Sequence, residues 1–505
     1  DQALFNTNHD LSQTIKGDAM TVCLQDPTLI KAQAFSDGVW VDADSGETLA
    51  VTNPATGEVI GNVACCAATE TRRMIEAAHR AQSDWAMTTV KHRATLLRNW
   101  YNLMLEHQQD LATLLTAEQG KPLAEALGEV LYGANYVEWF SEESKRVYGD
   151  TIAQPSSDKR LVVIKQPVGV VACITPWNFP NAMLTRKIAP AIAAGCSVVC
   201  KPANNTPLSA LAIVELAERA GFPRGLVNIV TGHTAAIGAE MTSNPLVRKV
   251  TFTGSTPVGK QLIAECAQTV KRTSMELGGN APFIVFDDAD LDAAVQGALV
   301  SKYRNAGQTC VCSNRLLVHS GVFDEFVAKF TAAVAALKVG DGNDPGVAVG
   351  PLIDEQAADG VCGLIDDAVA KGAHVVLGGG RSALGGSFVE PTILTNVTRD
   401  MRVFSEEIFG PVAPIFRFDS EVDVIAMAND TEFGLAAYFY SRDIGRVWRV
   451  AEALEFGIVG INEAIISNEM APFGGIKESG SGREGSKYGL HDYLDIKYLC
   501  MGGID

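Results

Sequence analysis

Short β-branched runs alternate with helical stretches between residues 168 and 286. Four of these runs have the length and apolar content of buried strands, at 168–174, 197–201, 226–230 and 249–253. Residues 181–194 and 207–220 between them have the pattern of helices. This alternation predicts a doubly wound parallel sheet. Ligands bind such sheets at the carboxyl ends of their strands, where Lys201 and the turn Gly254-Ser255 lie.

The rest of the chain divides by the same criterion. Residues 70–147 are predicted to be mainly helical, and a second α/β stretch covers about 287–472. Two strand-like pieces, 160–165 and 493–501, stand apart from both. A chain of 505 residues is too long for one hydrophobic core, so two or three domains are expected.

The composition of the chain argues against several classes of protein. The net charge of −18 argues against nucleic acid and anionic membranes as partners. No apolar run reaches the roughly 18 residues of a membrane span. Eleven cysteines without regular spacing or a Cys-x-x-Cys unit indicate neither a disulfide framework nor a structural zinc site, so a reduced, cytoplasmic protein is expected. Residues 1–19 resemble neither a secretory signal nor a basic transit peptide, and Met20 is a candidate start.

Two glycine-containing motifs carry the most chemical information. Glu276 opens Glu-Leu-Gly-Gly-Asn, and Cys310 closes Gly-Gln-Thr-Cys thirty-four residues later. A thiol that attacks an aldehyde forms a thiohemiacetal, and loss of a hydride gives a thioester. A carboxylate that activates water can then release an acid. No histidine lies near Cys310 in sequence, so amides or a cation are expected to favour its thiolate.

Neither of two apparent phosphate-binding patterns meets all the requirements of its motif. Residues 254–260 approach a P-loop, but Gln261 replaces the hydroxyl residue that binds magnesium, which argues against a kinase or ATPase. Residues 480–485 match Gly-x-Gly-x-x-Gly but follow no predicted strand, so they are not interpreted as a dinucleotide fingerprint.

The two motifs, with Asn178 in Pro-Trp-Asn-Phe-Pro upstream, resemble the aldehyde dehydrogenase superfamily from about residue 35 to the C-terminus. The resemblance implies that Cys310 is the nucleophile, Glu276 the general base and Asn178 an oxyanion donor. It implies an α/β fold with a Rossmann-like cofactor domain (20–147 and 168–286), an α/β catalytic domain (287–485) and a small β bridging element (148–167 and 486–505). It also implies a homo-oligomer, dimer or tetramer, and Glu484 is a candidate member of a proton relay.

The same resemblance implies a nicotinamide dinucleotide cofactor and no metal. Asn204 stands where NAD-preferring relatives commonly have a glutamate that repels a 2′-phosphate, and Lys201 can meet that phosphate. NADP is therefore the expected cofactor, with NAD as the alternative. The residues implied in cofactor binding are Trp177, Lys201, Asn204, Gly232, Gly254, Ser255, Glu407 and Phe409.

The substrate is inferred from residues other than the catalytic ones that the whole superfamily shares. Arg186, Arg304 and Ser467 stand in segments similar to the succinate-semialdehyde dehydrogenase branch, where they bind the substrate carboxylate. Guanidinium groups suit carboxylates because they form charge-assisted, two-pronged hydrogen bonds. The resemblance implies oxidation of succinate semialdehyde, with glutarate semialdehyde or another anionic aldehyde as alternatives. A non-catalytic binding protein on this fold is a further alternative, which the intact Cys310, Glu276 and Asn178 disfavour.

Cys312 lies two residues beyond the nucleophile and is a candidate redox partner. Some enzymes of the same branch use such a pair as a switch. Proximity to a reactive thiol favours a disulfide, whereas the short spacing requires the loop to bend. The alternative is a small apolar residue that packs behind the loop.

Overall fold

The computed structural model describes residues 22–504. That part of the chain contains twenty strands: β1 Ala34–Ser36, β2 Val39–Val41, β3 Thr48–Thr52, β4 Val59–Ala64, β5 Asp150–Ile152, β6 Arg160–Pro167, β7 Val170–Ile174, β8 Ser197–Lys201, β9 Val227–Ile229, β10 Val247–Thr253, β11 Arg272–Glu276, β12 Ala281–Val285, β13 Ser313–His319, β14 His374–Leu377, β15 Thr392–Thr395, β16 Val412–Phe418, β17 Ala436–Tyr440, β18 Ile458–Ile461, β19 Gly480–Ser481 and β20 Leu494–Met501. Residues 1–19, with the predicted tail, lie outside the described residues.

Fifteen α-helices accompany the strands within residues 22–504: α1 Ala68–Ala86, α2 Val90–Glu106, α3 Gln108–Gln119, α4 Leu123–Glu143, α5 Pro180–Ala194, α6 Leu208–Arg219, α7 Thr234–Ser243, α8 Thr256–Cys266, α9 Leu291–Tyr303, α10 Phe323–Ala335, α11 Glu355–Ala370, α12 Arg402–Ser405, α13 Glu421–Asn429, α14 Ile444–Ala453 and α15 Ser486–His491. Local signals set their ends. Pro180 occupies the first turn of α5, and Gly195 ends that helix with a left-handed φ of 98°.

The first sheet has the strand order β19-β11-β10-β7-β8-β9-β1-β2. The five strands β11, β10, β7, β8 and β9 run parallel, and antiparallel strands cover both edges. The predicted strands at 168–174, 197–201, 226–230 and 249–253 correspond to β7 through β10. The prediction of a doubly wound parallel sheet is therefore confirmed.

The second sheet has the order β14-β15-β16-β13-β12-β17-β18 and is parallel except at β14. Its strands and the helices around them enclose a separate apolar core that includes Phe283, Leu317 and Phe439. Asp290 caps α9, which leads to the thiol motif, by accepting a hydrogen bond from the backbone N–H of Ala293 at 3.1 Å.

A third sheet joins the two isolated strand-like pieces. β6 pairs antiparallel with β20 from Pro167 opposite Leu494 to Arg160 opposite Met501, and β5 pairs with the other side of β6. β3 and β4 form a separate hairpin. In the part of the chain that the structure describes, no helix is both long and apolar enough to cross a membrane.

One short strand connects the C-terminal part of the chain to the first sheet. Gly480 and Ser481 form β19, in which Gly480 lies opposite Glu276 at the end of β11. The Gly-x-Gly-x-x-Gly segment follows a short helical turn, Lys477–Ser479, and no strand, as expected, and the edge strand within it is antiparallel and opens no βαβ unit. A Cβ at Gly480 would lie 1.9 Å from the Met275 carbonyl oxygen, so only glycine fits there.

Candidate active site

Two neighbouring cavities meet at Cys310. The first, of about 230 Å³, is bounded by the motif residues Asn178, Glu276 and Cys310. The second, of about 270 Å³, is lined by Arg186, Arg304 and Cys310, among others. Met183 is the other residue shared by both linings. The thiol is therefore reachable from two sides, so two ligands can approach it from separate cavities.

The carboxyl edge of the first sheet supplies most of the first cavity. Glu276 is the last residue of β11, Asn178 follows β7, and the turn Gly254-Ser255 follows β10. This is the edge where the sequence pattern predicted ligand binding. Cys310 and Glu407, which precede strands of the second sheet, line the other side of the cavity.

The loop before the thiol has an unusual backbone. Asn305 and Ala306 have φ values of 51° and 55°, which are rare for residues with a Cβ, and Gly307 follows at 79°. A Cβ at Gly307 would lie 2.2 Å from the carbonyl oxygen of Gly410, and one at Gly279 would lie 2.4 Å from that of Cys310. The glycines of both motifs thus permit close packing of backbone around the thiol.

Burial keeps the thiol protonated in this structure. Burial, with the nearby Glu407 carboxyl, raises the pKa of Cys310 to about 12, against the influence of Arg186. Arg186 and Arg304 favour the thiolate, as expected of a cation, but burial outweighs both of them. A base or a rearrangement on ligand binding has to remove the proton before the sulfur can attack.

Glu276 is buried and lacks polar partners. Its exposure is 3%, and within residues 22–504 neither carboxylate oxygen accepts a hydrogen bond. Burial, and after it the charge of Glu484, raises the pKa of Glu276 well above its ordinary value. Gly474 leaves space for it, because a Cβ there would lie 3.0 Å from Glu276 Oε1. A carboxyl group in such a place can accept a proton near neutral pH.

Asn178 is held by two hydrogen bonds. Its Nδ2 donates to the carbonyl of Gln308 at 3.0 Å, and its Oδ1 accepts from the N–H of Phe179 at 3.1 Å. In the described part of the chain its second amide N–H has no partner. Because Asn178 lines the same cavity as Cys310, that N–H is available to a ligand there.

Arg186 belongs to a buried ion cluster, so its guanidinium is already paired with a carboxylate. Its Nη2 lies 2.6 Å from Glu484 Oε2, and Lys187 Nζ lies 2.7 Å from Glu484 Oε1. Burial alone would raise the pKa of Glu484, but the two cations outweigh it and hold that pKa below the ordinary value. The Arg186 guanidinium also covers the Phe473 ring, 4.1 Å from its centre. Glu484 therefore neutralises part of the charge that Arg186 could offer a ligand.

Arg304 and Ser467 line the second cavity beside Arg186. Arg304 is partly buried, with its guanidinium 5.6 Å from the centre of the Phe179 ring. Within residues 22–504 it forms no ion pair within 4.0 Å. The structure thus places all three predicted substrate residues in one cavity. Of the two arginines, Arg304 is the one whose charge is not already paired and can bind an anionic ligand.

Five of the predicted cofactor residues line the first cavity: Trp177, Gly254, Ser255, Glu407 and Phe409. The rings of Trp177 and Phe409 meet edge to face, with their centres 5.6 Å apart. Glu407 Oε1 accepts a hydrogen bond from the Gly279 N–H at 3.0 Å, while burial raises its pKa to about 7.

The other three predicted cofactor residues form a separate group at the ends of β8 and β9. Lys201 Nζ donates to Asn204 Oδ1 at 3.3 Å, and Asn204 Nδ2 donates to the Gly232 carbonyl at 3.0 Å. Burial lowers the pKa of Lys201 to about 8. Gly232 packs against Cys66, and a Cβ there would lie 2.1 Å from the Cys66 carbonyl oxygen. A lysine and an amide are thus held together beside a glycine turn.

Cys312 is buried behind the thiol loop. Its Sγ lies 3.5 Å from the Lys302 carbonyl oxygen and 3.6 Å from that of Ser313. Both Cys310 and Cys312 are free thiols in this structure. The disulfide between them stays a prediction, and its formation would require Cys312 to leave these two carbonyls.

One group of metal-ligating side chains converges within residues 22–504, at Glu47, Cys65 and His233, whose donor atoms lie within 4.8 Å of one another. Glu47 and His233 are about half exposed and hydrogen-bonded at 3.2 Å. The group lines neither cavity at Cys310.

Helix α4 contributes site residues that the sequence motifs did not identify. Glu125, Glu129 and Tyr132 line the second cavity at helical spacing. The Tyr132 hydroxyl accepts a hydrogen bond from Arg186 Nη1 at 3.1 Å. Polar and aromatic residues that recur every three or four positions on an otherwise buried helix were the available signal.

Known proteins match this chain over most of its length. The aldehyde dehydrogenase family model matches residues 40–499. The chain is 64% identical to 3-sulfolactaldehyde dehydrogenase of Pseudomonas putida (95% of this chain, 99% of that one) and 64% to glutarate-semialdehyde dehydrogenase of Pseudomonas aeruginosa (95% and 100%). It is 63% identical to the NADP+ succinate-semialdehyde dehydrogenase of Escherichia coli (95% and 99%).

A solved structure, described as an NADP-dependent enzyme of E. coli, superimposes with a TM-score of 0.95. It is 62% identical in sequence, and the match covers 95% of this chain and 100% of that one. Residues 40–499, which the family model matches, include both cavities, the thiol loop and the carboxyl edge of the first sheet. The chain belongs to the aldehyde dehydrogenase family.

Proposed function

We propose that this protein oxidises succinate semialdehyde to succinate, with NADP as the preferred cofactor and NAD as the alternative. The observation that carries the proposal is the position of Cys310 where two cavities meet, one bounded by Asn178 and Glu276 and the other by Arg304. The relatives at 63–64% identity, named for succinate, glutarate and 3-sulfolactaldehyde substrates, support an anionic aldehyde.

The first cavity fits the nicotinamide end of a dinucleotide. Glu407 presents a buried carboxylate suited to ribose hydroxyls, and the turn Gly254-Ser255 precedes the N-terminus of α8, which suits phosphate. Lys201, Asn204 and Gly232 would hold the adenosine ribose. The bound cofactor supplies the acceptor for the hydride that leaves the substrate carbon.

The first chemical step forms a carbon–sulfur bond. The Cys310 sulfur attacks the aldehyde carbon, and the carbonyl oxygen gains negative charge. The free N–H of the Asn178 amide is positioned by the Gln308 carbonyl to stabilise that oxygen. Glu276 lines the same cavity and can accept the thiol proton, either directly or through water.

The last chemical step releases the acid, after loss of the hydride has turned the thiohemiacetal into a thioester and Glu276 has released the thiol proton to water. Deprotonated Glu276 takes a proton from water, the resulting hydroxide attacks the thioester carbon, and the carbon–sulfur bond breaks. The sulfur leaves as the thiolate and regains a proton. Because burial raises the pKa of Glu276, its basic form becomes abundant only above the pH range of an ordinary glutamate.

The second cavity accounts for the acidic tail of the substrate. Arg304 provides a charge without an ion-pair partner in residues 22–504, Ser467 provides a hydroxyl, and Arg186 adds the charge that Glu484 leaves uncompensated. Glutarate semialdehyde is the second candidate, because one methylene changes binding by only about 1–3 kcal/mol. The same donors suit a sulfonate, as in 3-sulfolactaldehyde.

We further propose a cytoplasmic homo-oligomer, dimer or tetramer, with the domain division 20–147 and 168–286, 287–485, and 148–167 with 486–505. The three larger sheets support that division except at two strands, because β12 (Ala281–Val285) belongs to the second sheet and β19 (Gly480–Ser481) belongs to the first. Strand β20 supports self-association, because Ile496, Tyr498 and Met501 are 75%, 56% and 59% exposed along its length.

The pKa of Cys310 generates the first prediction. The rate of iodoacetamide alkylation at Cys310 in cofactor-free protein should rise by about tenfold per pH unit across the neutral range, because only the thiolate reacts. Peptide mass spectrometry at fixed times measures this rate, with glutathione in the same tube as the reference thiol. If the alkylation rate of Cys310 stops rising at a lower pH than that of glutathione, the pKa of Cys310 is not about 12.

Replacement of Glu276, the proposed general base, should separate thioester formation from thioester hydrolysis. Glu276→Gln keeps the volume but can take a proton neither from the thiol nor from water. A burst of reduced cofactor of about one equivalent should therefore form more slowly than in the wild type and be followed by still slower turnover. Stopped-flow absorbance measures the burst. The exposed Glu455→Gln is the matched control. Wild-type steady-state turnover in Glu276→Gln would exclude Glu276 as the base of thioester hydrolysis.

The substrate tail is tested by Arg304→Gln. Loss of a charge-assisted hydrogen bond should lower kcat/KM for succinate semialdehyde by about ten- to a hundredfold, or roughly 1.5–3 kcal/mol. Butanal, which lacks the carboxylate, should be affected much less. The surface variant Arg442→Gln controls for the general loss of positive charge. Equal losses with both aldehydes would argue against a carboxylate contact at Arg304.

Cofactor preference is tested by Asn204→Glu. A carboxylate beside Lys201 repels a 2′-phosphate and binds ribose hydroxyls, so the NADP/NAD ratio of kcat/KM should fall by about tenfold, equivalent to about 1.4 kcal/mol. Asn205→Glu places the same charge on the adjacent exposed residue and should change the ratio less. If the wild-type protein already favours NAD strongly, the NADP assignment is wrong.

A further inference from the structure

Helix α4 contacts both loops of the catalytic centre. Its residues Glu125 and Glu129 stand one turn apart. Glu129 Oε1 accepts hydrogen bonds from the backbone N–H groups of Asn181 at 2.9 Å and Ala182 at 3.2 Å, at the start of α5. Glu125 Oε2 accepts one from the N–H of Asn305 at 2.8 Å, in the loop before the thiol. One helix thus holds both the first turn of α5, which follows Asn178, and the loop before the thiol.

A buried lysine completes the contact on the Asn178 side. Lys121 and Glu129 form an ion pair in which both side chains are 0% exposed. Lys121 Nζ also donates to the backbone carbonyl of Asn178 at 2.8 Å and lies 3.9 Å from the centre of the Phe179 ring. The ammonium group therefore touches the very residue whose side chain faces the thiol.

The same carbonyl is tied to the thiol loop. Asn305 Nδ2 donates to the Asn178 carbonyl at 3.0 Å and to the Gln308 carbonyl at 3.2 Å. Gln308 in turn accepts from the Asn178 side chain. The backbone and the side chain of Asn178 are thus fixed relative to the loop that ends at Cys310, and Lys121 donates to the same backbone carbonyl as Asn305.

We propose that Lys121 and Glu129 are positioning residues for the oxyanion donor Asn178. This inference rests on the proposed function, in which Asn178 stabilises the oxygen of the tetrahedral adduct. Desolvation of two charges offsets most of the attraction between them, so the pair contributes little net stability. Its effect lies in orientation: the charge-assisted bond to the Asn178 carbonyl fixes the turn and hence the direction of the amide N–H.

Two reactions of the same sulfur distinguish positioning from a general structural role. Acylation of Cys310 by p-nitrophenyl acetate passes through a tetrahedral oxyanion and expels p-nitrophenolate, with no cofactor. Alkylation by iodoacetamide displaces iodide in one step and forms no oxyanion. A residue that acts through Asn178 should affect the first reaction alone, whereas damage to the thiol loop should affect both.

The variant Lys121→Met keeps the length of the side chain but removes the donor. It should slow acylation by about 10- to 100-fold, the effect of misplacing a catalytic group, and leave alkylation unchanged. Lys249→Met, at another fully buried lysine, is the matched control and should change neither rate. Equal slowing of acylation and alkylation in Lys121→Met would overturn the proposal.

The same measurements in an Asn178→Ala background locate the effect. If Lys121 acts through Asn178, Lys121→Met should slow acylation no further once Asn178→Ala is present. An undiminished loss there would overturn the positioning role while leaving Asn178 as the donor. If Asn178→Ala alone leaves acylation at the wild-type rate, the proposed function of Asn178 fails first, and the inference fails with it.

A second variant covers failure of Lys121→Met to fold, since Glu129 would be left buried without a counter-charge. The double variant Lys121→Met with Glu129→Gln removes both charges, and the carbonyl oxygen of the introduced side-chain amide can still accept the two N–H groups at the start of α5. It should show the same selective loss of acylation, and rates equal to wild type for both reactions would overturn the proposal.

Discussion

The hydrogen bond from the Asn178 side chain to the Gln308 carbonyl is the contact on which the catalytic centre depends. Asn178 follows a strand of the first sheet, whereas Gln308 belongs to the loop that leads into the second. Glu276 arrives with the first sheet and Cys310 with the second. The contact therefore joins the sheet that carries Asn178 and Glu276 to the loop that carries Cys310, and so holds together the three residues of the proposed chemistry.

Burial determines the charge states in this centre. It raises the pKa of Cys310 to about 12, that of Glu407 to about 7 and that of Glu276 well above its ordinary value. A protonated thiol is protected from oxidation and adventitious alkylation until a ligand changes its surroundings. Glu484 is the exception, because two cations hold it ionised at the centre of a buried cluster.

Patterns local in sequence predicted the cofactor sheet well. The β-branched run at 197–201 became β8 without change, and the helix at 181–194 differed from α5 by one residue. Parallel strands flanked by helices make near-continuous apolar runs, so local composition is informative there. The motif residues at 276 and 310 were also recognisable, because glycines beside a reactive group indicate close backbone approach.

Long-range pairing could not be predicted in the same way. Arg186 meets Glu484 almost three hundred residues later, and nothing in the segment around Arg186 indicates that its charge is partly neutralised. Gly480-Ser481 joins the first sheet as an edge strand too short to produce a pattern. The polar positions of α4 were visible, but only the fold reveals that Glu125 and Glu129 point to two catalytic loops.

We propose that Cys310 carries the acyl group of the substrate during turnover. Acid quenching of the wild-type protein during turnover of succinate semialdehyde, followed by peptide mass spectrometry, measures where that group is attached. We expect a succinyl thioester on the peptide that contains Cys310, and its loss when that peptide is treated with hydroxylamine. Turnover with Cys310 unmodified and the succinyl group on another side chain would contradict it.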